Sequence, residues 1–92
     1  MLKVKRIVAI DQYSLICEFD TGIKRKLNVL PLIEKHLHME GVASLKNKVL
    51  FDTVAVGELG EIYWKNIVRT AGGIWNYDIS PEYVFYNGSE VS

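Results

Sequence analysis

The stretch Tyr13-Ser-Leu-Ile-Cys-Glu-Phe19 places Leu15, Cys17 and Phe19 on one face of a strand and Ser14 and Glu18 on the other. Asp20-Thr21-Gly22 follows at once. A three-residue hairpin loop turns left-handed at its third position, where glycine carries no Cβ penalty. A loop over 20–22 therefore predicts a second strand over 23–29, with Phe19 facing Ile23 and Glu18 facing Lys24. This hairpin commits the chain to an antiparallel sheet within its first third.

Residues 2–10 are rich in Val and Ile and predict a preceding strand. Leu2, Val4, Val8 and Ile10 share one face at period two, interrupted only by Arg6. A tight turn at Asp11-Gln12 would set Val4 opposite Phe19 and Lys5 opposite Glu18. One face of the resulting meander carries Val4, Phe19 and Ile23; the other carries Lys5, Glu18 and Lys24, an acid between two bases.

Further along, Pro31 suits the first turn of a helix. Leu30, Ile33 and Leu37 recur at helical spacing, which predicts a helix over 31–38 that stops by Gly41. Ser44 is the expected cap of a second short helical turn over 45–50 that buries Leu45, Val49 or Leu50. Strands over 52–57 and 61–65 flank Glu58-Leu59-Gly60, another loop with glycine third; 67–71 and 74–78 flank a Gly72-Gly73 turn, with a long irregular loop over 67–77 as the alternative. Ser80-Pro81-Glu82 combines a capping serine, an N1 proline and an acid placed for the helix dipole, predicting a helix over 81–86. Asn87-Gly88 ends it, leaving 87–92 as a frayed tail. The order implies one α+β domain over 1–92: a mostly antiparallel sheet, made of an N-terminal three-stranded meander and C-terminal hairpin strands, with two or three short helices.

Eleven basic residues balance eleven acidic ones, so no overall field draws the chain to nucleic acid or an anionic membrane, and little charge opposes self-association. Cys17 is the only cysteine, which rules out an intrachain disulfide. The basic N-terminus has no apolar region behind it, so a signal peptide is not expected, and no apolar run is long enough for a membrane helix.

Several residues together carry a family resemblance. Leu15, Cys17, Phe19, Asp20 and Gly22 form an L-x-C-x-F-D-x-G hairpin after a Val-rich strand, and a Leu-rich short helix and a Leu45…Phe51 segment follow. A strand then ends at Trp64 with Asn66 close behind, and the chain closes on Asp78-Ile-Ser-Pro-Glu-Tyr-Val-Phe85. In this order they resemble the bacterial family known as domain of unknown function 2442, which ends in a tryptophan, an asparagine and an Asp-x-x-Pro-Glu-x-Leu-Tyr-like stretch. Residues 67–77 depart from the pattern, since the family passes from tryptophan to closing motif within a few residues. The resemblance implies a small domain of the bacterial cytosol, some relatives of which are encoded beside toxin-like partners. No catalytic residue is established for the family.

The candidate sites are few. His36 and His38 sit two apart, on different helical faces, and lack the spacing of a zinc pair. Cys17 shares a strand face with Leu15 and Phe19, which reads as core rather than nucleophile. Glu58/Glu61 and Asp78/Glu82 flank a turn and a helix start, where acids have structural uses. Neither a cofactor, a metal nor a small-molecule ligand is implied, and an enzyme is not expected. Two surfaces remain. Lys5, Lys24 and Lys26 on neighbouring strands would make a basic stripe able to follow a nucleic-acid backbone, or simply a solvated sheet face balanced by Glu18. Trp75 and Tyr77, past the Gly72-Gly73 turn in an aromatic-rich C-terminal third, are the candidate anchors for a protein partner or a homodimer. The leading expectation is a non-catalytic interaction module, antitoxin-like by resemblance; the alternative is a nucleic-acid-binding accessory module.

Overall fold

The first hairpin forms where its spacing places it. In the computed structural model, which describes residues 1–91, β2 (Ser14–Phe19) pairs antiparallel with β3 (Lys24–Asn28), and Glu18 faces Lys24. Gly22 takes φ +88° in the loop, and the Phe19 N–H donates to the Ile23 carbonyl at 2.8 Å.

β1 (Val4–Asp11) reaches β2 by a different route from the one expected. Asp11 pairs with Ser14, so the turn is Gln12-Tyr13, one residue later, with Gln12 left-handed at φ +54°. Moving a two-residue turn by one position offsets the ladder by two. Bulges at Lys5 and Val8 each absorb one position, and Val4 faces Phe19 after all. The expected Lys5–Glu18 pair does not form, because Lys5 is the extra residue of a bulge; Arg6 stands opposite Glu18. The bulges also break the period of β1. Val8 and Ile10, expected on the buried face, are exposed, and Ile7 packs on the core instead.

α1 (Leu30–Lys35) begins with Pro31 in its first turn and buries Leu32 and Ile33. It stops before residue 38: His36 leaves helical geometry while its N–H closes the helix on the Leu32 and Ile33 carbonyls, and Leu37 is left exposed. A 3-10 turn (Val42–Lys46) and α2 (Lys48–Phe51) follow. The cap of α2 is Asn47, whose side chain accepts from the Val49 N–H at 3.0 Å; Ser44, the expected cap, instead donates to the Gly41 carbonyl. Leu45 and Phe51 are buried and Val49 faces solvent.

The second sheet runs β4 (Ala55–Val56), β5 (Ile62–Thr70), β6 (Gly73–Ile79) in that order. The strand expected over 52–57 shrinks to two residues because Asp52 still serves as the C-cap of α2. The strands expected over 61–65 and 67–71 are one strand, kinked at Asn66 (φ +56°), where three β5 residues oppose Asn76 alone. Thr70 pairs with Gly73, so the turn is Ala71-Gly72 rather than Gly72-Gly73.

α3 (Pro81–Asn87) is capped as expected, the Ser80 hydroxyl accepting from the Tyr83 N–H at 3.1 Å. The tail then corrects the sequence reading: β7 (Ser89–Glu90) pairs with Lys26 and Arg25 of β3, completing a sheet ordered β1-β2-β3-β7. Ser92, the end of that tail, lies outside the described residues. Among the described residues two antiparallel sheets and three short helices thus form one α+β domain around a single apolar cluster. No helix among the described residues is long and apolar enough to cross a membrane.

A row of rings threads this core. Tyr13 meets Phe51 edge-on at 5.3 Å, Phe51 meets Trp64 at 5.3 Å, Trp64 meets Tyr77 at 6.0 Å and Tyr77 meets His36 at 5.8 Å. Beside the row, the loop at Glu40-Gly41 closes against β5, with the Arg69 N–H donating to the Glu40 carbonyl at 2.9 Å. Gly41 sits at φ +100°, and a Cβ there would fall 1.9 Å from the Ile67 carbonyl oxygen. Gly41→Ala should therefore lower the unfolding free energy by about 2–4 kcal/mol, from strain plus the displaced loop. Gly22→Ala, with φ +88° but open space around it, should cost only the left-handed strain, about 1–2 kcal/mol. Urea unfolding separates the two; equal losses would mean that the Ile67 contact is not what fixes this loop.

Candidate functional site

β6 carries both expected anchors, and the fold separates them. Alternation puts Trp75, Tyr77 and Ile79 on the core-facing side of the strand. Tyr77 and Ile79 reach the core, but the hairpin runs past its end before Trp75. Tyr77 is only 5% exposed, so it is a core residue and not a surface anchor. Its hydroxyl lies 2.7 Å from Nδ1 of His36, a hydrogen bond that joins β6 to α1 and makes His36 half-buried rather than a surface histidine. Burial, with the Tyr83 and Asp78 charges behind it, pushes the Tyr77 hydroxyl up to about 12.

Trp75 is 57% exposed. Its indole N–H donates to the Thr70 hydroxyl at 2.8 Å, across the hairpin end. That donor is already satisfied, so what Trp75 offers a partner is the apolar surface of its ring. Ile74, on the opposite face of the strand, is 56% exposed. Residues 73–76 are thus exposed on both faces of the sheet, along a strand with β5 on one side and, among the described residues, no strand on the other. The sequence reading named Trp75 but missed Ile74 and the open edge. The signal available was the lack of any Lys, Arg or Pro between 73 and 79.

The three lysines form no unbroken basic stripe, because acids stand among them. Lys26 reaches Asp11 at 3.6 Å, and Glu18 takes the Arg6 guanidinium at 2.5 Å. Lys5 stands in its bulge and, with Lys24, acts on Glu18 only through charge. Arg25, on the other side of β3, covers the Phe85 ring at 4.4 Å instead of joining the basic face. The face is a mixed one, with each acid placed among bases.

The Arg6 hydrogen bond, followed by the Arg6, Lys24 and Lys5 charges, holds the Glu18 carboxyl below the usual glutamate range. A depressed folded value stabilises the fold above the ordinary glutamate pKa and loses that effect as pH falls through the folded value. In Arg6→Ala the Glu18 midpoint, followed by carboxyl NMR, should return toward the ordinary range, and any stability gap from wild type should close at acid pH. An unchanged midpoint would contradict the pairing.

Cys17 lies fully buried between strands, and burial pushes its thiol up to about 12. A nucleophilic thiol needs an exposed, electropositive setting. Ellman's reagent should leave the native chain unmodified at mildly alkaline pH and label one thiol per chain in denaturing urea; fast native labelling would reopen Cys17 as a nucleophile. The acid pairs have structural neighbours: Glu61 accepts the Leu59 N–H of its own turn at 3.1 Å, and Glu82 lies in the first turn of α3. Among the described residues no group of three His, Cys, Asp or Glu side chains is arranged to hold a metal ion. A groove of about 300 Å³ lies beside His36, Tyr77 and Tyr83.

No family model, no curated protein and no solved structure matches the chain.

Proposed function

We propose that this chain is a non-catalytic protein-interaction domain whose contact element is the outer end of the β5–β6 hairpin. The observation that carries the reading is the exposure of Ile74 and Trp75 on opposite faces of one edge strand. A two-stranded ribbon that buries neither face is marginal by itself, and here the open side is the β6 side. On the β5 side, the Glu40-Gly41 loop already covers the backbone at Arg69. The buried, protonated thiol of Cys17 and the structurally occupied acids support a role without catalysis.

The resemblance to domain of unknown function 2442 rests on the motifs from Leu15 to Phe85. It adds a setting and a partner class: the bacterial cytosol, and a toxin-like protein encoded beside this one. Under this reading the chain acts as the antitoxin-like member of the pair.

The test is capture with the whole chain as bait in a lysate of the source cells, with mass-spectrometric identification of what is retained. Wild type should hold an identified protein, or more of itself, that Trp75→Ala releases while circular dichroism stays native. Retention unaffected by Trp75→Ala would remove the hairpin as the contact element, and retention of nothing would remove the reading.

A further inference from the structure

Among the described residues four strands lie at sheet edges, and three of them are blunted. β4 and β7 are two residues long. β1 carries two bulges and presents Lys5 and Arg6. Short edges, bulges and basic side chains are the devices by which folded chains prevent strand addition. β6 has none of them. It spans seven residues, the extra residues of its kinked ladder belong to β5, and its sequence Gly-Ile-Trp-Asn-Tyr-Asp-Ile contains one charge and no proline. Its two polar side chains nearest the tip are already engaged, Trp75 on Thr70 and Asn76 on the Asn66 N–H at 3.1 Å. What remains open is the strand's backbone edge and the apolar surface on either side of it.

We infer that β6 pairs with β6 of a second copy of this chain, edge to edge and antiparallel, about a two-fold axis through Asn76. The inference rests on the interaction reading above and names its partner. A two-fold axis normal to the sheet keeps every side chain on its own face, so paired residue numbers must add to an even sum. Pairing the whole strand then puts the axis at its middle residue, Asn76. In that register Trp75 falls opposite the partner's Tyr77, twice by symmetry, where that largely buried ring borders the groove it shares with His36 and Tyr83. On the other face Ile74 meets the partner's Asp78. Asp78, the only charge on β6, never faces its own copy. The formal net charge of the chain is zero, so two copies approach without mutual repulsion.

The register gives a charge-swap test at an exposed position. Ile74→Asp sets an acid opposite the partner's Asp78 at two places and should raise the dimer dissociation constant by about tenfold or more. Ile74→Lys sets a base there and should hold the constant within about threefold of wild type. Sedimentation equilibrium of the whole chain, from micromolar to millimolar, reads the mass against the 10.5 kDa of one copy, and circular dichroism checks that each variant is folded. A wild-type dimer weakened by Asp and kept by Lys supports the pairing. A wild-type monomer throughout, or equal effects of the two substitutions, overturns it. A monomer that still retains another protein through Trp75 overturns the second copy alone, whereas a monomer that retains nothing overturns the interaction reading with it.

Discussion

The indole N–H of Trp64 donates to the Phe51 carbonyl at 2.7 Å, inside the core. A buried donor left unpaired costs about 1–3 kcal/mol, so this bond fixes how α2 sits against β5. The rest of the aromatic row follows from it. Phe51 holds Tyr13, which carries the β1–β2 turn, and the Tyr13 hydroxyl donates to the Lys46 carbonyl. On the other side Trp64 holds Tyr77, and Tyr77 holds His36 at the end of α1. One line of rings thereby ties both sheets to α1, the 3-10 turn and α2. Lys48 lies about 5 Å over the rings of Tyr13 and Phe51 and closes one end of the row.

The same row sets where the core stops. Tyr77 is its last residue on β6, and the strand continues for four residues beyond, from Asn76 back to Gly73, without cover. On β5 the corresponding stretch is different: Ile67 and Val68 are buried beneath the Glu40-Gly41 loop, which only glycine can make at that distance. Packing thus finishes one strand of the hairpin and leaves the other open. The functional reading comes from that asymmetry and from no catalytic constellation.

Where sequence and structure agree, the determinants are local. Asp20-Thr-Gly22, Glu58-Leu-Gly60 and Ser80-Pro-Glu82 each carry their own turn or cap chemistry, and each forms as read. The misses come from choices made at long range. Gln12 has no particular liking for the left-handed region, yet it turns there because bulges at Lys5 and Val8 let Val4 keep its place against Phe19. Ser44 is as good a cap as Asn47, yet its hydroxyl goes to the Gly41 carbonyl while Asn47 caps the turn that carries Phe51 to Trp64. Ser89 and Glu90 carry no strand signal and pair only because α3 delivers them to the edge of β3. The candidate site was half legible for the same reason. Trp75 and Tyr77 are two residues apart on one face, and only the extent of the core decides that one is a surface residue and the other is not.

The fold blunts every sheet edge but that of β6. Amide hydrogen exchange across residues 73–79, followed from low micromolar to near-millimolar chain, tests it most directly. The amides of β6 should gain protection as concentration rises while those of β1 do not change. Concentration-independent exchange along both strands, or protection of β6 already complete in the dilute chain, would contradict it.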